Sequence, residues 1–333
     1  MSVLESIKEK IDKSKSILIL THENPDGDAI GSSLALYNAL KKNEKNALVY
    51  IPIPDKTFAF LPGYNDILIG SELPDRNHFD ACISLDCSDL NRLGIAQDLF
   101  NSFEETICID HHITNQNYAD ICYINAVASS TCENLMVVLA TLGISINKEI
   151  AECLYTGFIT DTGGFRYNCQ PETMEMVATL LETGINMAKI YRTIFDVTTF
   201  EKTKMTARCL DRLELFADGQ IAFTYVLRKD LDELKLEEAD TDGVVNYGRN
   251  IDSVEVSVFA KERDDNTYKI SMRANEYVDI SVIASKFGGG GHVRAAGFES
   301  RMSLEQLKET IVEEIKKQLK GKEQSTKKVE SEE

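Results

Sequence analysis

The sequence predicts an α/β protein, with a doubly wound parallel sheet over residues 1–185 and a smaller α/β domain over 206–320. Three observations carry this. Short apolar runs of strand length alternate with helical stretches through the first half, the pattern that a parallel sheet with right-handed crossovers demands. Several of those runs are continuously apolar, as in strands buried on both faces. From about Thr206 the pattern changes to a new set of strands and helices, and 333 residues suffice for two cores.

The elements follow in order. Residues 2–15 place Val3, Leu4, Ile7 and Ile11 on one helical face. Ile17–Leu20 reads as a buried strand, followed by the polar loop Thr21–Asp28 and a helix beginning near Asp28. Ala47–Ile53, Phe79–Leu85 and Thr106–Ile109 are further strands, the last two ending on Asp86 and on Asp110-His111-His112. Helices fit Ser129–Leu142, closed by Gly143, then Lys148 to about Ile159, running into Asp161-Thr162-Gly163-Gly164, and Thr173–Glu182. Residues 186–205 are polar helix formers and read as a linker. In the second domain, Ile221–Leu227, Ser253–Ala260 and Tyr268–Arg273 read as strands. Asp230–Glu237, Ile280–Phe287 and Leu304–Leu319 read as helices. Residues 321–333 have almost no apolar content and are expected to be a disordered tail.

Composition narrows the function. A net charge of −18 argues against sequence-independent binding to long duplex nucleic acid, which needs a positive face. It leaves room for a short phosphate-bearing substrate held through cations, which dominate local charge. Eight cysteines form no CxxC pair, so zinc-ribbon and thioredoxin-like spacings are absent and the thiols read as free and buried. No signal peptide or membrane-spanning apolar run is present, so a reduced, cytoplasmic protein without a membrane partner is expected.

The chemistry concentrates at turns. His22, Asp26 and Asp28 crowd into seven residues, and carboxylates at i and i+2 repel unless a cation or donor lies between them. Alone, these residues also suit an N-cap at Asp28 and an Asx-turn at Asp26. Asp86, Asp110-His111-His112 and Asp161 add three more segments that each deliver an acid or imidazole at a turn, and strand ends of a parallel sheet point the same way. The set is rich in Asp, has some His and no Cys, which suits Mn²⁺ or a similar divalent ion better than structural zinc. The carboxylates are numerous enough for two ions. A pair ~3.5–4 Å apart clamps a phosphate and activates water, which is phosphoester hydrolysis without a covalent nucleophile. In the second domain, Gly288–Gly291 expose backbone N–H groups as a nest for phosphate oxygens, with His292 as a further donor. Arg273, at a strand end, is placed to hold a terminal phosphate, and a surface ion pair is the competing reading.

These residues resemble the DHH phosphoesterase family. His22-Glu23-Asn24-Pro25-Asp26-Gly27-Asp28 looks like its first motif, Asp86 its second, Asp110-His111-His112 its third and Asp161-Thr162-Gly163 its fourth. GGGGHVRAAGF looks like the signature of the DHH-associated C-terminal domain. The resemblance implies an active site in the cleft between the two domains. It implies that His22, Asp26 and Asp86 hold one Mn²⁺, and that Asp28, Asp86, His111 and Asp161 hold a second. His112, backed by Asp110, would contact the scissile phosphate. Arg273, Asn275, Gly290, Gly291 and His292 would bind the substrate's terminal phosphate and backbone. Two-domain members resemble the nanoRNase/pAp phosphatase group, so the expected substrates are very short RNA, linear dinucleotides such as pApA, and 3′-phosphoadenosine 5′-phosphate (pAp). A cyclic di-AMP phosphodiesterase is the nearest alternative, and a non-catalytic nucleotide-binding regulator the alternative of another class. A homodimer is left open.

Overall fold

A computed structural model of the chain describes residues 2–263 and 267–330, with side chains through Leu319. The chain divides between Val197 and Thr198 into two compact units, each with its own core.

In the first unit, α1 (Val3–Lys13) starts at a Ser2/Glu5 capping box and buries Ile7 and Ile11. The order continues as β1 (Ser16–Leu20), α2 (Gly27–Lys42), β2 (Asn46–Tyr50), β3 (Ala81–Leu85), α3 (Gln97–Asn101), β4 (Thr106–Asp110) and β5 (Ile121–Ile124). It closes with α4 (Thr131–Leu142), α5 (Lys148–Asp161), α6 (Pro171–Glu182), α7 (Met187–Tyr191) and a π-helical turn, Arg192–Asp196. The five strands form a wholly parallel sheet in the order β2-β1-β3-β4-β5.

The continuous apolar runs have the expected cause. Ile17 and Ile19 of β1 join the core built with α2, α4 and α5, whereas Leu18 and Leu20 join a second cluster with Phe100 and Phe103 on the opposite face. Strand order reverses between β1 and β3, and at such a switch point the carboxyl ends of the strands open onto a ligand crevice.

Two glycines set how closely α2 and α5 approach. A Cβ on Gly31 would lie 2.6 Å from the Cys153 carbonyl oxygen, and one on Gly157 would lie 2.4 Å from Asp28 Oδ1. Neither position has room for a side chain, so the helices meet backbone to backbone.

The second unit runs α8 (Phe200–Asp211), β6 (Glu214–Phe216), β7 (Ile221–Val226), α9 (Arg228–Leu234), α10 (Val244–Arg249), β8 (Val256–Glu262) and β9 (Tyr268–Ala274). It ends with α11 (Ile280–Lys286), β10 (Gly290–His292), β11 (Ala295–Ser300) and α12 (Leu304–Glu330). Its sheet order is β10-β11-β9-β8-β7-β6, with only β7 and β8 parallel. Val258, Ile270, Met272 and Phe298 pack against α11 and α12. On the other face Phe259 packs with α8 and α10, beside Met205 and Val245.

Several expectations shift. Residues 186–205 are helical, as α7, the π-helical turn and the start of α8, because Ile190 is buried in the first core and Met205 in the second unit's. The expected elements did not include β5, an apolar but four-residue strand with every residue half-buried, or the three-residue β6 and β10, all too short to carry a clear strand pattern. The disordered tail expected over 321–333 is corrected in part: α12 continues to Glu330, and residues 331–333 lie outside the described residues. Among the described residues no helix is long and apolar enough to cross a membrane.

Candidate active site

The site is built where β1, β3 and β4 end. Asp26 is the N-cap of α2, and its Oδ1 accepts the N–H of Asp28 at 3.0 Å and of Ala29 at 3.1 Å. The cap expected at Asp28 is therefore corrected: Asp26 holds it. Asp28, the second residue of the helix, is fully buried. Its Oδ2 accepts the N–H of Thr131 at 2.6 Å, and its Oδ1 that of Cys132 at 3.0 Å. Those are the first two residues of α4, so the positive end of that helix faces the carboxylate. Burial nonetheless pushes the Asp28 carboxyl well above the ordinary range, and the Asp86 and Asp161 carboxylates push it the same way.

Asp86 follows β3 with φ 54°, a left-handed conformation that a non-glycine residue keeps only where its surroundings enforce it. Its Oδ1 accepts the Thr131 hydroxyl at 2.9 Å. Burial works to raise this carboxyl, but His22, His111 and His112 together hold it below its usual value.

Asp110, the last residue of β4, is wholly buried. Its Oδ1 accepts the His111 N–H at 2.9 Å and lies 2.7 Å from His112 Nδ1, and its Oδ2 accepts the Asn115 amide at 2.6 Å. With both oxygens so engaged, Asp110 positions His112 instead of meeting a substrate, and it raises that imidazole's pKa mainly through this hydrogen bond. His112 Nδ1–H is then the donor, which leaves Nε2 for other partners.

His111 Nδ1 lies 3.3 Å from the Ala128 carbonyl oxygen. Its Nε2 lies 3.0 Å from Asp161 Oδ2, 3.8 Å from Asp86 Oδ1 and 4.0 Å from Asp28 Oδ2. Burial lowers this imidazole's pKa, but the surrounding carboxylates outweigh it and raise the value to about 10. A ring held through one nitrogen by a backbone carbonyl, with the other aimed into carboxylates, has the outer-sphere support typical of a metal-ligating histidine. Asp161 is the last residue of α5, the helix expected to run into it, and it joins the group from that helix, which packs closely on α2.

Three overlapping groups result: His22, Asp26 and Asp86; Asp28, His111 and Asp161; and Asp86, His111 and His112. Within each, the ligand atoms lie within 4.8 Å of one another. These residues fit divalent cations on two grounds. Asp28, Asp86 and Asp161 converge within 4.0 Å of His111 Nε2, and their mutual repulsion adds to burial in raising the Asp28 carboxyl. The buried His22 imidazole stands 3.7 Å from Asp86 Oδ2 and has no partner at Nδ1. The donors are oxygen and imidazole, the set that suits Mn²⁺-like ions.

Sequence reasoning missed the supports. Thr131 and the α4 N-terminus hold Asp28 and Asp86, Asn115 holds the Asp110 carboxylate, and the Asn134 amide donates to the Asp110 carbonyl at 2.8 Å. Buried Glu133 accepts the Ser129 hydroxyl at 2.7 Å and the Thr173 hydroxyl at 2.8 Å, fixing the chain before α4. The Ser130-x-x-Glu133 spacing was the available signal for that helix start.

In the second unit, sheet register puts Arg273, Ala295 and His292 in one row, and Ser271, Gly297 and Gly290 in the next. Gly290–His292 is thus an edge strand, and the nest expected from the glycine run is corrected to that extent. The Asn275 amide donates to the Arg249 and Val254 carbonyls at 2.9 and 2.8 Å, which ties it into the fold. Arg273 has no carboxylate partner among the described residues, contrary to the ion-pair reading, and its guanidinium donates to the Met272 carbonyl at 2.9 Å.

A parallel sheet that presents clustered Asp and His at its switch point is suited to hold divalent cations against a ligand. Residues 16–158 match the family model described as DHH family, N-terminal domain, and residues 218–321 match the DHHA1 domain. A Thermus thermophilus protein named bifunctional oligoribonuclease and PAP phosphatase NrnA is 33% identical over 310 residues, spanning 91% of this chain and 90% of that protein. The chain belongs to the DHH family of phosphoesterases and is a hydrolytic enzyme. The crystal structure of an exopolyphosphatase-related protein from Bacteroides fragilis superposes with a TM-score of 0.84 at 30% identity, covering 96% of this chain and 97% of that one. The cyclic-di-AMP phosphodiesterase PdeA of Listeria monocytogenes is 24% identical over 95% of this chain, which spans 48% of that protein's length.

Proposed function

We propose that this enzyme hydrolyses very short oligoribonucleotides and linear dinucleotides such as pApA to mononucleotides, and that it also dephosphorylates pAp. The observation that carries the reading is the likeness to the Thermus thermophilus protein over nine-tenths of both chains, supported by three overlapping Asp/His groups that include every residue expected to hold metal. His22, Asp26 and Asp86 would hold one divalent ion, and Asp28, His111 and Asp161 a second, with Asp86 shared and Mn²⁺ the favoured metal. When bound, such ions supply charge neutralisation at the phosphate and acidify water.

The chain's own residues do the rest. The α4 N-terminus and Thr131 keep Asp28 and Asp86 from swinging away. Asp110 turns His112 so that its Nε2–H donates to a phosphate oxygen, stabilising charge as the P–O bond breaks. In the second unit, Arg273 and the backbone of Gly290, Gly291 and His292 bind a further phosphate of the substrate.

Likeness to PdeA favours cyclic di-AMP hydrolysis as the second reading, weakened by the half of that protein with no counterpart here. Rates with Mn²⁺ on pApA, pAp, a five-mer and cyclic di-AMP separate the two. Fastest turnover on pApA is expected, and faster turnover of the cyclic dinucleotide would overturn the ranking.

A further inference from the structure

We propose that Lys269 is an anion-binding residue of the second unit. It would take the next phosphate along an oligonucleotide beyond the one held by Arg273, so that this sheet face reads two consecutive phosphates. The inference rests on the phosphoesterase reading above and deepens it, because it says which short substrates gain from the second unit.

Lys269, Ser271 and Arg273 alternate along one face of β9, and Lys261 of β8 stands directly opposite Lys269. Like charges facing each other across strands destabilise a sheet. Here the pairing occurs in a chain whose net charge is −18, so bulk composition does not account for it. The two lysines also differ in state. Lys261 is buried, with its ammonium 2.9 Å from the Glu238 carbonyl oxygen and 3.6 Å from Glu238 Oε2. Lys269 is exposed and has no hydrogen bond or ion pair among the described residues. Glu299, its neighbour across β11, is engaged by Arg263 at 2.6 Å. That contact takes Oε1 only, so Glu299 stays a carboxylate in the wall of the larger depression, as Asp242 is in the smaller.

The space beside Lys269 is shaped for a ligand. Two depressions of about 430 and 360 Å³ share Lys269, Ser271 and Arg273 in their walls. Gly290 lies in the larger one, with an ordinary φ, and a Cβ there would meet nothing within 4 Å. Neither backbone conformation nor packing within the chain requires glycine at that position, and the open space beside it admits close approach of a ligand to the backbone. Lys269 and Arg273 are four residues apart on one strand, roughly 13 Å between Cα atoms, so one phosphate does not satisfy both from an extended pose.

The test compares the full-length wild type with Lys269→Gln, loaded with Mn²⁺, on pApApA and pApA. The expected result is a KM for pApApA raised about tenfold, as for loss of one charge-assisted hydrogen bond, with kcat retained and pApA changed less than about twofold. Equal changes on both substrates, or none on pApApA, would overturn the inference. If the wild type cleaves neither substrate, the functional reading fails instead. Anisotropy of labelled pApApA on the metal-free chain then decides the role of Lys269: affinity weakened about tenfold in the variant sustains it, and unchanged affinity ends it.

Discussion

Among single residues, Asp110 shows how burial sorts roles. It closes the same strand that leads into His111 and His112, yet both its oxygens are taken up by protein donors, whereas His112 keeps a free ring edge. Asp110→Asn removes the negative charge and one of the two acceptor oxygens that together hold His112 and Asn115, while nearly preserving volume. The expected outcome is a kcat for pApA reduced roughly 10–100-fold with KM little changed, read by steady-state kinetics. A raised KM at full kcat would mean that Asp110 serves substrate binding. His22, Asp26, Asp28, Asp86 and His111 were legible in the sequence because each stands at or just after a strand end, and parallel strands deliver their carboxyl ends to one edge. Thr131, Asn115 and Asn134 were not, because their roles arise only from hydrogen bonds made by folding. Thr131 reaches Asp86 across 45 positions of chain.

For the elements, the close pairing of α2 with α5 carries the site as much as any ligand does. Gly31 and Gly157 let the two helices meet, which puts Asp28 beside the helix that ends on Asp161. A methyl group at position 157 would press on Asp28 Oδ1 and on Cys132 Sγ, at 2.4 and 2.3 Å. Gly157→Ala is therefore expected to lower stability by about 1–3 kcal/mol in urea unfolding, despite alanine's better helix propensity, and to cut activity as well. Unchanged stability would show that the helices have slack there. Helix propensity and apolar spacing made both helices readable in advance. They also placed Asp161 at a helix end before a Gly-rich turn, but not the close α2–α5 approach that brings it to the other ligands. The edge strand at Gly290–His292 was hidden for a related reason: glycines carry no strand pattern, and their pairing with β11 is a tertiary fact.

Over the whole molecule, an acidic chain gathers carboxylates and imidazoles into groups that could hold cations, and places Lys269 and Arg273, without carboxylate partners among the described residues, on a sheet face of the second unit. Under the proposed function, that division would let a protein of net charge −18 take a polyanionic substrate without a general positive surface. Cation binding is thus a condition of catalysis and also a relief of repulsion built into the folded state. The central claim is tested most directly by titrating Mn²⁺ into the chelated wild type and Asp86→Ala by calorimetry, with pApA hydrolysis followed on the same samples. The account predicts two ions per wild-type chain, fewer in the variant, and hydrolysis that appears only as the ions fill. Wild-type hydrolysis by the metal-free chain, or by Asp86→Ala, would contradict it.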